Sequence, residues 1–322
     1  MLEFGTYPTP IECLEPLSTA KATLWVKRDD LTNPIYGGSK VRKLGPLLDD
    51  AKSRGATKIV TVGALGSHHV LATGVFGKRV GLEVEAVVLR QPYSPHVLET
   101  ARASIGQGVR LLAAASYADA MRQLAASAAA GAYTIPTGGS NLLGTVGMVA
   151  AAVELSEQVR AGLLPEPELI VLALGSGGSA AGLTAGLIRT GLRTRVLAVA
   201  VAEPLKVFGQ RAHTLASELV PHSSRAAAFA QLEIERRYLG QGYGHATNES
   251  QRAMREAARV GLILDHTYTA KAFAAALDLI ALGAVRHVLF WNTLSSTDLS
   301  PLLIDAPEER DLPVELRRLA LA

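Results

Sequence analysis

The feature that most constrains this chain is an alternation of short, nearly unbroken apolar runs with longer helical patterns. Thr57–Val62 (TKIVTV), Glu83–Leu89 (EVEAVVL), Glu168–Leu174 (ELIVLAL), Arg195–Val201 (RVLAVAV) and Arg286–Phe290 (RHVLF) read as strands. They lack the polar alternation of a half-exposed strand, so they fit parallel strands covered by helices on both faces. Between them the residue spacing predicts helices over Val41–Arg54, His69–Val80, Pro95–Ile105 and Tyr117–Ala130. Further helices are expected at Thr145–Ala161, Ala180–Thr190, Glu249–Val260 and Ala270–Leu282. Strand followed by helix, repeated, predicts α/β layers joined by right-handed crossovers. At 322 residues the chain exceeds the common domain size of about 100–200 residues, so two lobes are expected. Glycines cluster over Gly138–Gly147, the best candidate seam.

Composition removes several function classes. Hydrophobic residues make up 48% and aromatics only 5%, which suits close helix–sheet packing better than an all-β sandwich. A net charge of +3, with Lys and Arg scattered, makes no basic patch for nucleic acid. Cys13 stands alone, which excludes an internal disulfide framework and fits a reducing compartment. The start, Met-Leu-Glu-Phe-Gly, lacks the basic and apolar regions of a secretory signal, so a cytoplasmic location is expected. Leu169–Ile188 is uncharged over a membrane-spanning length and carries Gly178, Gly182 and Gly186 at small-residue spacing. Five glycines, two serines and a threonine interrupt it. A strand, a glycine loop and a buried helix explain it better, and no membrane partner is expected.

Chemistry concentrates in three places. In Tyr36-Gly37-Gly38-Ser39-Lys40-Val41-Arg42-Lys43 two glycines and a serine lead a lysine into the first turn of a helix. The positive end of a helix disfavours an ammonium, which would lower the Lys40 pKa and suit attack on a carbonyl. A plain cationic face, with Arg42 and Lys43, is the alternative. The second place is Gly175-Ser176-Gly177-Gly178-Ser179, between a strand and a helix. There glycines and unpaired N–H groups make an anion site suited to a phosphate; a tight structural turn is the alternative. The same residues match a loose dinucleotide fingerprint, with Glu203 ending the next strand, and favour a nicotinamide cofactor if read alone. That reading leaves the Lys40 segment unexplained.

The third place is a set of loops. Ser67, in Gly63-Ala64-Leu65-Gly66-Ser67-His68-His69, opens a helix and fits either a carboxylate site or a helix cap. Tyr243 and Tyr268 lie in polar loops, as proton carriers or as packing residues. No G-x-S-x-G, HExxH or CxxC occurs, so serine-hydrolase and zinc readings find no motif, and no metal is expected.

Val26-Lys27-Arg28-Asp29-Asp30-Leu31 followed by Gly37-Gly38-Ser39-Lys40-Val41-Arg42-Lys43-Leu44 resembles the pyridoxal-phosphate enzymes of the D-cysteine desulfhydrase and 1-aminocyclopropane-1-carboxylate deaminase family. The resemblance continues through Ile135–Ser140, Gly175–Ser179, Tyr243-Gly244 and Asp265–Lys271. It implies the tryptophan-synthase-β-like α/β fold (fold type II), two doubly wound lobes with open, mostly parallel sheets. The larger lobe would comprise 1–50 and 148–322, and the smaller 51–147. Lys40 matches the Schiff-base lysine; Ser176, Gly177, Gly178 and Ser179 match the phosphate loop. Ser67 matches the residue at the substrate carboxylate, and Tyr243 and Tyr268 match the two active-site tyrosines. Thr269 matches the residue facing the pyridine nitrogen, a threonine in the desulfhydrase and a glutamate in the deaminase. A neutral hydroxyl there favours β-elimination over ring opening.

The implied reaction takes D-cysteine to pyruvate, hydrogen sulfide and ammonia, in a homodimer. Deamination of 1-aminocyclopropane-1-carboxylate, another lyase or racemase activity, and a non-catalytic cofactor-binding role are the alternatives. Two departures bear on the substrate. His68 stands where the family has an asparagine at the cofactor's phenolic oxygen. Asn292-Thr293-Leu294-Ser295 replaces His-Thr-Gly-Gly.

Overall fold

The computed structural model describes residues 2 and 4–320. Along the chain the elements begin with β1 (Ile11–Cys13), β2 (Thr23–Lys27), α1 (Ser39–Ser53), β3 (Lys58–Ala64) and α2 (His68–Arg79). Then come β4 (Glu83–Leu89), α3 (Pro95–Gly106), β5 (Val109–Ala113), α4 (Tyr117–Ala129), β6 (Tyr133–Thr134) and α5 (Leu142–Arg160). Next are β7 (Leu169–Leu174), α6 (Gly178–Thr190), β8 (Arg195–Ala200), α7 (Leu205–Glu218), α8 (Arg225–Gln231) and β9 (Leu232–Glu235). The last are α9 (Asn248–Arg259), α10 (Thr269–Leu282), β10 (His287–Trp291) and α11 (Val314–Ala320).

These elements form two compact units. The smaller takes Leu44–Gly139, Thr297–Ala322 and the first residues; the larger takes Gly5–Lys43 and Ser140–Ser296. The sequence reading drew the smaller lobe at 51–147. The C-terminal segment joins this unit because Leu312, Leu316 and Ala320 pack in one cluster with Val84, Val88 and Leu98.

The larger unit carries a six-stranded sheet in the order β1-β2-β10-β7-β8-β9. Only β1 runs antiparallel, pairing Ile11 with Lys27; the other neighbours are parallel. Successive side chains of a strand point to opposite faces. On β7 Leu169 and Val171 therefore enter one core with Phe273 of α10, while Ile170, Leu172 and Leu174 enter another with Leu155 and Leu183. Burial on both faces is the physical reason these strands are continuously apolar. The smaller unit repeats the plan with the parallel order β5-β4-β3-β6.

The glycine spacing that imitates a membrane helix has a packing cause here. A Cβ on Gly182 would lie 2.5 Å from Met148 Cβ, and one on Gly186 2.5 Å from Ala152 Cβ, so α6 meets α5 closely. By length and composition α5 is itself apolar enough to cross a membrane. It nevertheless carries Glu154 and Gln158 into a buried polar network.

That network fixes the start of α1. Arg42 gives a bidentate pair of hydrogen bonds to Asp29, Nη2 to Oδ1 at 2.7 Å and Nε to Oδ2 at 2.9 Å, and reaches Glu154 at 2.8 Å. The Lys27 ammonium donates to Glu154, to Gln158 Oε1 and to the Thr9 carbonyl. Burial alone would raise the Glu154 carboxyl. The Arg42 and Lys27 charges and hydrogen bonds outweigh it and hold the pKa at about 2, against an ordinary 4.5. A carboxyl depressed in the folded state contributes stability that is complete above the unfolded pKa and is lost as pH falls through the folded one. Glu154→Ala should therefore lower unfolding free energy by about 3–5 kcal/mol at neutral pH, because it strands buried cations. Urea titration at pH 7 and pH 3 checks this. The deficit should shrink at the lower pH, and an equal deficit at both would refute the assignment.

Candidate active site

The turn before Lys40 is built around close backbone contacts. A Cβ on Gly37 would lie 2.1 Å from the Asp30 carbonyl, and Gly38 holds φ at 90°, with Thr293 O 2.8 Å from its would-be Cβ. Only glycine tolerates both demands. The turn is pinned by Gly38 N–H to Asp29 O (2.9 Å), Ser39 N–H to Thr293 O (3.2 Å) and Gly37 N–H to Ser295 Oγ (2.9 Å). From Tyr36 to Leu48 every residue is buried except Lys40, which is half-buried. Among the described residues, no side chain hydrogen-bonds the Lys40 amine. Burial pushes that amine down from 10.5 to about 8, with the Asp265 carboxylate opposing.

Three residues on, and on the same helix face, Lys43 is fully buried and donates to Ser140 Oγ at 2.8 Å. Ser140 also bonds Ser176 Oγ at 2.7 Å and accepts from Gly178 N–H at 3.2 Å. Gly177, with φ at 95°, is the N-cap of α6. The glycine loop, the start of α6 and a buried ammonium thus converge. A Cβ on Gly178 would lie 2.8 Å from Lys43 Nζ. Burial, and then the neighbouring Lys40, hold Lys43 well below the usual lysine range. No carboxylate pairs with it among the described residues. A desolvated cation with its helix N-terminus is an anion site.

Tyr243 and Tyr268 meet edge to face, with their hydroxyls 2.7 Å apart. Tyr268 packs over the glycine loop, its ring 3.1 Å from a would-be Cβ on Gly175. Burial raises the Tyr243 phenol to about 12, the Tyr268 hydrogen bond lowering it and Asp265 adding to the rise. Burial raises Tyr268 as well, with Tyr243 and Asp265 adding to the rise. Asp265 accepts from Tyr268 N–H (3.0 Å), Thr269 N–H (2.8 Å) and Thr269 Oγ1 (2.6 Å), and its own N–H donates back to Thr269 Oγ1 (2.9 Å). The Thr269 proton is thus committed, leaving its oxygen as an acceptor. Counting Thr269 as an isolated neutral hydroxyl overlooked the carboxylate behind it.

Ser67 and His68 belong to the smaller unit. Ser67 is the N-cap of α2, its hydroxyl accepting from Val70 N–H at 3.4 Å. His68 Nε2 lies 3.3 Å from Nε2 of His96 on α3, and His96 Nδ1 is 3.8 Å from the Glu99 carboxylate. Lys40, Ser176, Gly177, Gly178, Ser179, Tyr243, Tyr268 and Thr269 all fall in the larger unit. Sequence reasoning missed Lys43, Ser140 and Asp265 as members of this group. The Lys40–Lys43 spacing on one helix face was the available signal; Ser140 meets Ser176 only through the fold.

The family model described as pyridoxal-phosphate dependent enzyme matches residues 2–288. Over 295 residues the chain is 33% identical to a D-cysteine desulfhydrase of Klebsiella pneumoniae, covering 86% of this chain and 87% of the relative. It is 33% identical over 318 residues to the nocardicin C-9' epimerase of Nocardia uniformis subsp. tsuyamanensis, covering 94% and 95%. A crystal structure of an ACC deaminase homologue superposes with a TM-score of 0.78 at 30% identity, over 94% of this chain and 96% of that one. The residues present fit a phosphorylated pyridine aldehyde. A half-buried amine of lowered pKa suits the aldehyde, and the Lys43–Ser140–Gly178 cradle suits the phosphate.

Two measurements on the apo-protein follow. Inorganic phosphate should raise the thermal midpoint, and Lys43→Met should weaken phosphate binding about ten- to a hundredfold, the worth of one charge-assisted contact at about 1.5–3 kcal/mol. Equal affinity in the variant would remove Lys43 from the anion site. Reductive trapping of an aldehyde at Lys40 should rise with pH around a midpoint near 8, because only the neutral amine attacks. A midpoint above 10 would contradict the burial argument.

Proposed function

The chain belongs to the pyridoxal-phosphate dependent enzyme family, and from that premise we propose that it eliminates and deaminates a small amino acid, D-cysteine first among them. One observation carries the reading: Lys40 alone breaks a buried stretch, while Lys43 on the same helix face reaches the glycine loop. Supporting D-cysteine are the desulfhydrase relative and Thr269, at the position where the resemblance gives a threonine to the desulfhydrase.

Bound pyridoxal phosphate supplies an electron sink for negative charge at the substrate Cα. The chain's own groups do the rest. Lys40 would hold the cofactor's aldehyde carbon and, as a free amine, would take and return the Cα proton. The N–H groups of Ser176–Ser179, with Lys43, bind the phosphate. Thr269, its proton committed to Asp265, would offer an acceptor to the ring nitrogen that the resemblance places against it. Tyr243 and Tyr268 share a proton across 2.7 Å and hand it to the departing hydrosulfide. The resemblance alone assigns Ser67 to the substrate carboxylate and His68 to the phenolic oxygen. The Cα–H bond breaks, the C–S electron pair leaves with sulfur, and water completes hydrolysis to pyruvate and ammonia.

A second reading, racemisation or epimerisation, is favoured by the epimerase relative and by Lys40 and the tyrosine pair as two separate proton carriers. One experiment separates them. The protein loaded with pyridoxal phosphate should absorb at roughly 410–430 nm, as expected of a lysine-bound cofactor, and release pyruvate and sulfide from D-cysteine in deuterium oxide. Deuterium at Cα of recovered amino acid without pyruvate would establish the second reading instead. Lys40→Ala should lose both the band and turnover; near-normal activity in that variant would end the assignment.

A further inference from the structure

Lys271 is a buried lysine that neither the sequence reading nor the proposed chemistry uses. Its side chain is fully buried in the first turn of α10, where the helix dipole disfavours a cation. No ion-pair partner stands beside it among the described residues. Its ammonium instead donates to two main-chain carbonyls, Leu239 O at 2.8 Å and Gly242 O at 2.9 Å. Burying a charge is costly unless something specific compensates, so what those carbonyls belong to matters.

They belong to the segment carrying Tyr243. Gly240, Gly242 and Gly244 there adopt φ of 60°, 105° and 80°, so glycines of left-handed conformation flank the tyrosine on both sides. Such a backbone loses much entropy on ordering and does not set the tyrosine's direction by itself. Within the segment the main-chain bonds are local, Gly242 N–H to Leu239 O at 3.1 Å and His245 N–H to Gly242 O at 3.4 Å. Lys271 connects it to another element. Tyr268, the phenol that Tyr243 meets, is the residue just before α10, three positions from Lys271.

We propose that Lys271 is a positioning residue that clamps the Leu239–Gly244 segment to α10 and so holds the Tyr243 hydroxyl at the Tyr268 hydroxyl. One helix end then fixes both tyrosines, Tyr268 through the backbone and Tyr243 through the lysine. The catalytic consequence rests on the reading that this pair carries a proton in turnover; the clamp itself does not.

The test uses the protein loaded with pyridoxal phosphate and labelled with 3-fluorotyrosine, the Tyr243 signal being assigned by its loss in Tyr243→Phe. Wild type should give one sharp Tyr243 fluorine resonance. Lys271→Met should split or broaden it and lower kcat at least tenfold with little change in KM, while the cofactor band persists. Lys271→Arg keeps the charge and moves the donors. It serves if the methionine variant does not fold, and should shift the resonance and lower kcat less. An unshifted, sharp Tyr243 resonance in whichever variant folds would overturn the clamp, as would loss of the cofactor band in step with kcat, which marks a purely structural lysine. A perturbed resonance in a protein that eliminates no amino acid would retain the clamp and sink the function assigned above.

Discussion

The buried ion network around Arg42 is the interaction on which the rest depends. Its members come from distant parts of the chain, Thr9, Lys27, Asp29, Arg42, Glu154 and Gln158, and meet only when β2, α1 and α5 are all in place. Removing charges from water is expensive, and the arrangement holds because nearly every lone pair and proton finds a partner. What it specifies is the direction of the first turn of α1. Arg42 lies between Lys40 and Lys43, so anchoring its guanidinium on one side of the helix presents the two lysines on another.

The lysines outside this network follow a different rule. Lys40, Lys43 and Lys271 are each lowered by burial, and the Asp265 carboxylate counteracts this at Lys40 and Lys271 but not at Lys43. A buried amine at a helix N-terminus beside a glycine loop, with no carboxylate paired to it among the described residues, is a group whose protonation a bound anion would favour. A phosphate is such an anion. Asp265 meanwhile spends its oxygens on α10, capping Tyr268 and Thr269 and taking the Thr269 proton. One carboxylate thus sets helix geometry and tunes the amine.

Local physics made much of this legible. The strand read over Glu83–Leu89 coincides with β4, and the eight helices read from the sequence all form, with ends shifted by a few residues. Each shows its periodicity within its own residues, so it can be read before its packing partners are known. Besides α7, β2 and β5, what escaped were elements whose identity is set by neighbours. β1 and β6 are only three and two residues long and exist by pairing. The helix α11 is short and charged, and docks through Leu316 and Ala320, with Leu312 just before it. Among site residues, Lys40 and the glycine loop announce themselves by helix-start glycines. Lys43, Ser140 and Asp265 are ordinary side chains until the fold brings them to Ser176, Gly178 and Thr269.

The replacement of His-Thr-Gly-Gly by Asn292–Ser295 shows how a departure from a pattern can be read two ways. From sequence alone it threatened the space for the ring. In the structure Leu294 is buried, Ser295 Oγ accepts from Gly37 N–H, and Thr293 O accepts from Ser39 N–H. Of the replacement residues, Ser295 braces the Lys40 turn through its side chain. Beside them the carboxamide of Asn292 and the hydroxyl of Ser39 are fully buried without hydrogen-bond partners among the described residues, each costing about 1–3 kcal/mol if left so. Unsatisfied polar atoms at the carboxyl end of a parallel sheet lie where α/β folds bind their ligands. The chain therefore keeps the lysine turn rigid while leaving polar capacity next to it, and the identity of the group that fills it is the substrate question in its sharpest form.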